Sequence, residues 1–292
     1  MTRSRSVPEE ARGATSVRPV ALPPAAPPPL HTMRSAPWQV VAAGAAVGLL
    51  GGIIGLGGAE FRLPLLIGLF GFLALQAVIL NKAMSLLVVL TALPARLAAV
   101  PLSTLTPAWP VVVNLLAGTL IGAWAGASWA VRMRTATLYR VLAGMLVLIA
   151  VALYASHAGT VQPLDLPTAA RVPAGVVAGL FIGVVAAVMG VAGGELLIPT
   201  LVLLYAVDIK TAGSLSLAVS LPTMLVAFAR YSRDGSFAVL GDNRRFVALM
   251  AGGSVFGTIV GGLAVGVIAN SVLIPLLTAL LLVSARKVWG HR

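Results

Sequence analysis

The sequence predicts an all-α, polytopic membrane protein made of two inverted repeats, each with a broken or re-entrant glycine-rich helix hairpin. Two observations carry this prediction. The 292 residues are 59% hydrophobic and only 10% charged, whereas about 25% of the residues in a soluble domain are charged. A glycine-rich motif that contains a glutamate and a proline also occurs twice, once in each half of the chain.

The first 37 residues are predicted to be a disordered cytoplasmic tail. This segment is rich in proline and arginine and has no apolar core, so it cannot bury enough surface to fold. It also lacks the continuous apolar stretch of a signal peptide. A positively charged tail that helps to fix the topology is therefore favoured over a transit peptide.

Ten apolar segments follow the tail. Several of them are long enough to cross a hydrocarbon core of about 30 Å. They divide into transmembrane repeat 1 (38–155), a connecting loop (156–171) and transmembrane repeat 2 (172–292). The predicted segments are 38–54, 60–73, 76–100, 109–132, 138–155, 172–189, 194–207, 211–230, 245–268 and 271–287.

The basic residues predict the orientation in the membrane, because cytoplasmic loops carry an excess of lysine and arginine. Placing the amino terminus inside puts fifteen of the twenty basic residues inside and only Arg171 and Lys210 outside. We therefore expect a multi-pass protein of the inner (plasma) membrane with both termini in the cytoplasm. The positive charges are scattered between apolar segments, which argues against binding to nucleic acid.

The second half of the chain is predicted to be inverted relative to the first. Five segments precede the connecting loop and five follow it, so the two halves enter the membrane from opposite sides, as in many secondary transporters. The stretch GLGGAEFRLP (55–64) matches GVAGGELLIP (190–199), and residues 85–90 match residues 216–221.

The two glycine motifs predict breaks in the helices, at Gly55–Ala59 and at Gly190–Gly194, because the apolar segments that follow them are too short to span a bilayer. Such breaks are tolerated only when they are buried in protein or line a cavity. The backbone N–H groups and the helix dipole at the new helix start favour an anion. The glycines expected to line a substrate site are Gly57, Gly58, Gly193 and Gly194.

Glu60 and Glu195 are the only carboxylates within the apolar segments, and they occupy matched positions of the two motifs. An ionisable group in a membrane segment is a functional candidate, and burial favours the protonated form of a carboxyl group. Proton coupling is one interpretation. The alternative is that each glutamate only stabilises the first turn of its helix, and the two roles can coexist.

Three basic residues also lie within apolar segments: Arg62, Lys82 and Arg96. One interpretation is that one or more of them holds an anionic substrate; the other is that Arg62 or Arg96 neutralises Glu60 or Glu195 in an internal salt bridge. Lys82 and Arg96 could instead extend toward the membrane surface. Neutral side chains that could add hydrogen bonds to a substrate are Asn81, Ser85, Ser214, Ser216 and Ser220, although membrane hydroxyls often bond to their own helix.

Other classes of protein are disfavoured by the residues that are missing. The chain has no cysteine, and its three histidines lie outside the apolar segments, so no metal and no cofactor is predicted. Since no segment holds a histidine or an aspartate, an enzyme is not predicted either. Glycines spaced four residues apart, within 44–52, 118–126 and 175–183, predict close packing of helices.

The paired motifs G-x-G-G-x…P, each followed by a segment with a Ser-Leu pair, resemble the TauE/SafE sulfite exporter family, also called the 4-toluene sulfonate uptake permeases. The resemblance extends from about residue 40 to the end. It implies a secondary transporter, an exporter, of sulfur-containing anions such as sulfite, sulfonates or sulfoacetate. Glu60, Glu195 and the Asn81-Lys82 pair depart from the family's usual residues, so another substrate or coupling mode stays open.

The alternative function is a passive anion channel, or a permease for another small organic anion, because helix ends that line a cationic pore would give a similar pattern. The expected partners are a small anionic substrate and the lipid bilayer. A homodimer is left open.

Overall fold

The computed structural model describes residues 36–54, 58–99, 106–157, 164, 166–233, 235–263 and 270–290. Within these residues the chain forms α-helices, one 3-10 turn (Thr106–Ala108) and no strand, which confirms the all-α class. The helices are α1 (Pro37–Ile54), α2 (Ala59–Gly68), α3 (Ala74–Ala99), α4 (Trp109–Arg132), α5 (Thr135–His157), α6 (Thr168–Met189), α7 (Gly194–Tyr205), α8 (Ile209–Ser232), α9 (Ala238–Asp242), α10 (Arg244–Leu263) and α11 (Asn270–Gly290).

Each predicted apolar segment corresponds to one of these helices, and only the five-residue α9 was not expected. Among the residues that the structure describes, five helices are long and apolar enough to cross a membrane, and α1 and α7 contain shorter apolar stretches. The multi-pass membrane architecture is therefore confirmed. The five candidate spans are Ala74–Thr91, Thr106–Arg132, Thr135–Ala152, Ala169–Met189 and Thr211–Ser232.

Both helix breaks lie where the glycine motifs predict them. Helix α1 ends before the first motif and α2 begins at Ala59; α6 ends before the second motif and α7 begins at Gly194. Gly58 and Gly193 directly precede α2 and α7 with φ angles of 70° and 86°, in the left-handed region that glycine adopts without strain. The two motifs thus start their helices with the same backbone conformation.

The helices that follow the breaks are short and lie inside the protein. Helix α2 has 10 residues and α7 has 12, which corresponds to about 15 Å and about 18 Å at the usual rise per residue. Every residue from Ala59 to Pro64 is buried. Since a broken helix must be shielded from lipid, burial within the bundle explains how the chain tolerates the break.

The closest helix packing joins the two halves of the chain. Helix α1 packs along α10, and α4 packs along α6. A Cβ atom added at Gly48 would meet the carbonyl oxygen of Ser254, and one added at Gly122 would meet that of Leu180. The glycine stripes predicted from the sequence therefore do allow close approach of the helix backbones.

These two helix pairs are parallel. Gly44 faces Met250 and, one turn further along both helices, Gly48 faces Ser254. Contacts between α4 and α6 also advance together, from Gly118 opposite Val176 to Gly122 opposite Leu180. Parallel pairing agrees with the predicted orientation, in which α1 and α10 both start on the inside. The rotation that would relate the two halves as an inverted repeat stays a prediction.

Two adjacent glycines of α10 provide a test of this packing. A Cβ at Gly253 would meet the carbonyl oxygen of Val41, whereas one at Gly252 would have nothing within 4 Å. We expect Gly253→Ala to lower the free energy of unfolding by about 1–3 kcal/mol, because the new methyl group would clash with a backbone carbonyl, which cannot move aside as a flexible side chain can. Gly252→Ala should leave it unchanged or raise it by up to about 1 kcal/mol. Thermal unfolding in detergent measures both, and equal stability of the two variants would contradict the close packing.

Candidate functional site

The two helix breaks lie on either side of one residue of α3. The Asn81 side-chain amide Nδ2 donates hydrogen bonds to the carbonyl oxygen of Ala59 (3.0 Å), at the start of α2, and to that of Met189 (3.2 Å), at the end of α6. Asn81 is fully buried. The sequence places these carbonyls in different halves of the chain, so the structure brings the two motifs together.

Two further side chains of α3 bind the second break. The Lys82 ammonium Nζ donates to the carbonyl oxygens of Ala186 (2.8 Å) and Val191 (2.9 Å), and Ser85 Oγ donates to that of Gly190 (3.4 Å). The carboxyl end of a helix carries partial negative charge, which suits an ammonium group. Lys82 is 0% exposed, so the interpretation that it extends toward the membrane surface is wrong.

Gly190 permits this close contact. It ends α6 with a φ angle of 71°, and a Cβ at this position would meet the carbonyl oxygen of Val78 and the backbone nitrogen of Lys82. Only glycine combines the left-handed conformation with such an approach. The backbone of α3 therefore lies directly against the second break.

Arg62 of α2 is a buried cation with unused hydrogen-bond donors. Its Nη1 donates to Asn81 Oδ1 and to Ser85 Oγ, both at 3.4 Å, which is long for a hydrogen bond. Its Nε and Nη2 have no hydrogen-bond partner among the residues that the structure describes. Arg62 is 0% exposed, and a buried charge is normally paired. One edge of the guanidinium group is thus available to a ligand.

Glu60 and Glu195 come together from the two halves. Both are buried, and their carboxyl groups lie close enough to interact with each other and with the backbone at the helix starts. Two ionised carboxylates can only accept, and without a proton Glu60 Oε2 and both oxygens of Glu195 lack a partner in the described part of the chain. A hydrogen bond between them would therefore require a proton on one of them. The backbone interactions match the alternative role at the helix start, so both roles remain.

The buried charges act on one another without direct pairing. Arg62 interacts electrostatically with Glu60, and Lys82 interacts electrostatically with Glu195. The hydrogen bonds that Arg62 and Lys82 donate within the described residues go to neutral acceptors. Arg62 and Lys82 contribute two positive charges, and Glu60 and Glu195 with one shared proton contribute one negative charge. The net charge of the four groups is then +1, and a singly charged anion beside Arg62 would neutralise it.

The remaining predicted site residues are placed as follows. Gly193 and Gly194 lie at the start of α7, as Gly58 does at the start of α2. Ser214 is buried, and its hydroxyl has no partner among the described residues; Ser216 donates to the carbonyl of Gly213 in its own helix (2.9 Å). Gly57 and the side chain of Arg96 lie outside the described residues.

Sequence reasoning missed Tyr231. Its hydroxyl donates to the carbonyl oxygen of Ala187 (3.1 Å), near the end of α6, and its side chain is fully buried. The residue follows Arg230 at the end of a segment, where an aromatic residue usually marks the membrane surface. Nothing in the sequence distinguishes it from such a residue.

Apolar helices that enclose buried ionisable groups at two helix breaks define the class of the protein: it is a multi-pass helical membrane protein. A model of the family described as "Sulfite exporter TauE/SafE" matches residues 13–153. Over these residues, just under half of the chain, the sequence is similar to the TauE/SafE family, as the paired motifs predict, and this is a family of transporters and not of enzymes. The match begins within the amino-terminal tail and ends with the first repeat. Comparisons with curated proteins and with solved structures give no significant match.

Proposed function

We propose that the chain is a proton-coupled secondary transporter that exports sulfur-containing anions such as sulfite, sulfonates or sulfoacetate. The description of the matching family names sulfite and export. The observation that carries the proposal is the unpaired edge of Arg62, a fully buried cation located where the two helix breaks meet.

The geometry of this edge favours an oxyanion. Nε and Nη2 are adjacent donors of a planar guanidinium group, and their spacing matches two oxygens bound to one atom. Sulfite and sulfonate groups present such oxygens, whereas a halide presents none. The amino-terminal ends of α2 and α7, with Gly58 and Gly193 before them, add backbone N–H groups and a favourable dipole.

The glutamate pair supports coupling to protons. Glu60 and Glu195 are buried close enough to interact, so they can share one proton, and its binding or release would change the charge of the site by one unit. Since net charge inside a membrane protein is costly, binding of an anion beside Arg62 and binding of a proton by the pair should favour each other. The pair would thereby carry a proton in the same direction as the anion.

We also propose that both termini face the cytoplasm of the cell. Arg230 Nε at the end of α8 donates to Ser128 Oγ of α4 (2.7 Å), and the Arg233 guanidinium lies 4.9 Å from the ring centre of Trp124. The arginine-rich ends of α4 and α8 are therefore neighbours, which suits a shared cytoplasmic side. The chain has no cysteine of its own, so a single cysteine introduced at Met133 can be labelled from each side of the membrane; labelling only from outside would reverse the orientation.

Transport by proteoliposomes tests the proposed function. We expect saturable flux of sulfite and of a small sulfonate, faster with a proton gradient in the direction of anion movement, and little flux of chloride. Chloride flux as fast as sulfite flux would exclude recognition of an oxyanion. Flux that does not saturate and ignores the proton gradient would indicate the passive channel instead.

A further inference from the structure

We propose that the ammonium group of Lys82 is a built-in monovalent cation, which occupies the place that a dissolved Na⁺ or K⁺ would take at the second helix break. Because this cation is part of the chain, the break needs none from solution. The inference goes beyond the proposed transport function, on which it does not depend, since its main test is the stability of the purified protein.

The first reason is the set of oxygen atoms around α3. At broken helices in transporters, unwound carbonyls and the carboxyl ends of half-helices coordinate Na⁺. Four backbone carbonyl groups at the end of α6 and just after it form such a set, and each accepts a hydrogen bond from a side chain of α3. Those of Ala186 and Val191 bind Lys82, that of Met189 binds Asn81, and that of Gly190 binds Ser85.

The second reason is how completely Lys82 is held. Its ammonium makes two short hydrogen bonds, 2.8 Å and 2.9 Å, and the side chain is 0% exposed. It could bind a substrate anion only by leaving these carbonyls, which would then be buried without partners. Arg62, equally buried, instead retains two unused donors. The two cations thus have different roles. Arg62 has donors that can bind a ligand, whereas Lys82 donates its hydrogen bonds to carbonyl groups of the protein itself.

The third reason is the difference between the two repeats. The position of repeat 2 that aligns with Lys82 is Gly213, and Asn81 aligns with Ala212. Only one repeat therefore provides a lysine from its third segment. The charge of Glu195 also acts on Lys82, so the ammonium group lies beside the glutamate pair.

The test removes the side chain and offers cations in its place. Purified wild-type protein should unfold at the same temperature in NaCl, KCl and N-methyl-D-glucamine chloride of equal concentration. Lys82→Ala should unfold at a lower temperature in N-methyl-D-glucamine chloride and regain stability with Na⁺, K⁺ or methylammonium. A rise of roughly 3–6 °C is expected at a cation concentration about ten times its Kd. If none of these cations stabilises Lys82→Ala, the proposal is wrong.

Two further variants keep the test decisive. Arg62→Ala removes an equally buried cation whose hydrogen bonds within the described residues go to side chains and not to backbone carbonyls, and the small cations should not stabilise it. Lys82→Gln keeps amide donors without the charge; if it unfolds at the wild-type temperature in every salt, hydrogen bonding alone suffices and the cation role is excluded. Should Lys82→Ala fail to accumulate, Lys82→Gln takes its place, and the proposal then requires low stability that Na⁺ or K⁺ raises.

Discussion

Arg62→Met is expected to weaken binding of sulfite and sulfonates at least 30-fold, while the ligand-free protein stays as stable as the wild type or becomes more stable. Loss of one member of a buried charge pair costs about 2–5 kcal/mol, and about 2 kcal/mol corresponds to roughly 30-fold. Without ligand, two donors of Arg62 are unpaired and its other bonds are long. Since a buried charge with unpaired donors is costly, an apolar residue of similar length should pack in its place without loss of stability.

Substrate flux and thermal unfolding, measured on the same preparation, check this expectation. Lys82→Met is the matched control: it removes a cation of equal burial that is bound to Ala186 and Val191, and it should lower the unfolding temperature. Arg62→Lys keeps the charge but loses the paired donors, so it should bind sulfite about tenfold more weakly than the wild type. If Arg62→Met unfolds early and transports normally, Arg62 is a structural residue and the anion site lies elsewhere.

The second expectation concerns the glutamates. Glu60→Gln and Glu195→Gln should each remove the pH dependence of transport, or stop transport, because a proton shared by two carboxyl groups belongs to the pair and not to one residue. Glutamine keeps the shape and can donate to the remaining carboxylate, so the protein should still fold. In the wild type, we expect the rate to rise as the pH falls on the side where the proton is loaded.

Initial rates from about pH 5.5 to about pH 8.5 separate the two roles of the pair. If the glutamates only stabilise the starts of α2 and α7, each variant should lose about 1 kcal/mol of stability and keep the wild-type pH profile. A double variant that behaves like either single one supports a shared proton. If each single variant instead keeps about half of the pH dependence of the transport rate, and the double variant loses all of it, the two glutamates titrate as independent sites.

The breaks and the helices around them are predictable from the sequence because their causes are local. Gly58 and Gly193 have the positive φ angles that favour glycine, and ten apolar segments suffice to locate ten helices. Matched positions of Glu60 and Glu195 in the two motifs also predict that these residues play equivalent roles. Pattern and spacing carry this information without any knowledge of tertiary contacts.

The different roles of the buried cations Arg62 and Lys82 cannot be predicted in this way. The sequence shows Arg62 and Lys82 only as basic residues in apolar segments. Whether each binds a carboxylate, a carbonyl group or a ligand depends on which residues of the second half reach α3, and that is a tertiary property. Tyr231 was missed for the same reason, since its carbonyl partner on Ala187 lies in another helix.

The parallel pairing of α1 with α10 also constrains the order of events during synthesis. Helix α1 leaves the ribosome first, yet the backbone surface that its glycines fit belongs to α10, which begins only at Arg244. At about 5–20 residues per second, α1 waits on the order of ten seconds or longer in the bilayer before its partner exists. During that interval its glycine face is exposed to lipid or to the insertion machinery. A nascent chain that stalls before α10 would present this unpaired face to quality-control proteases.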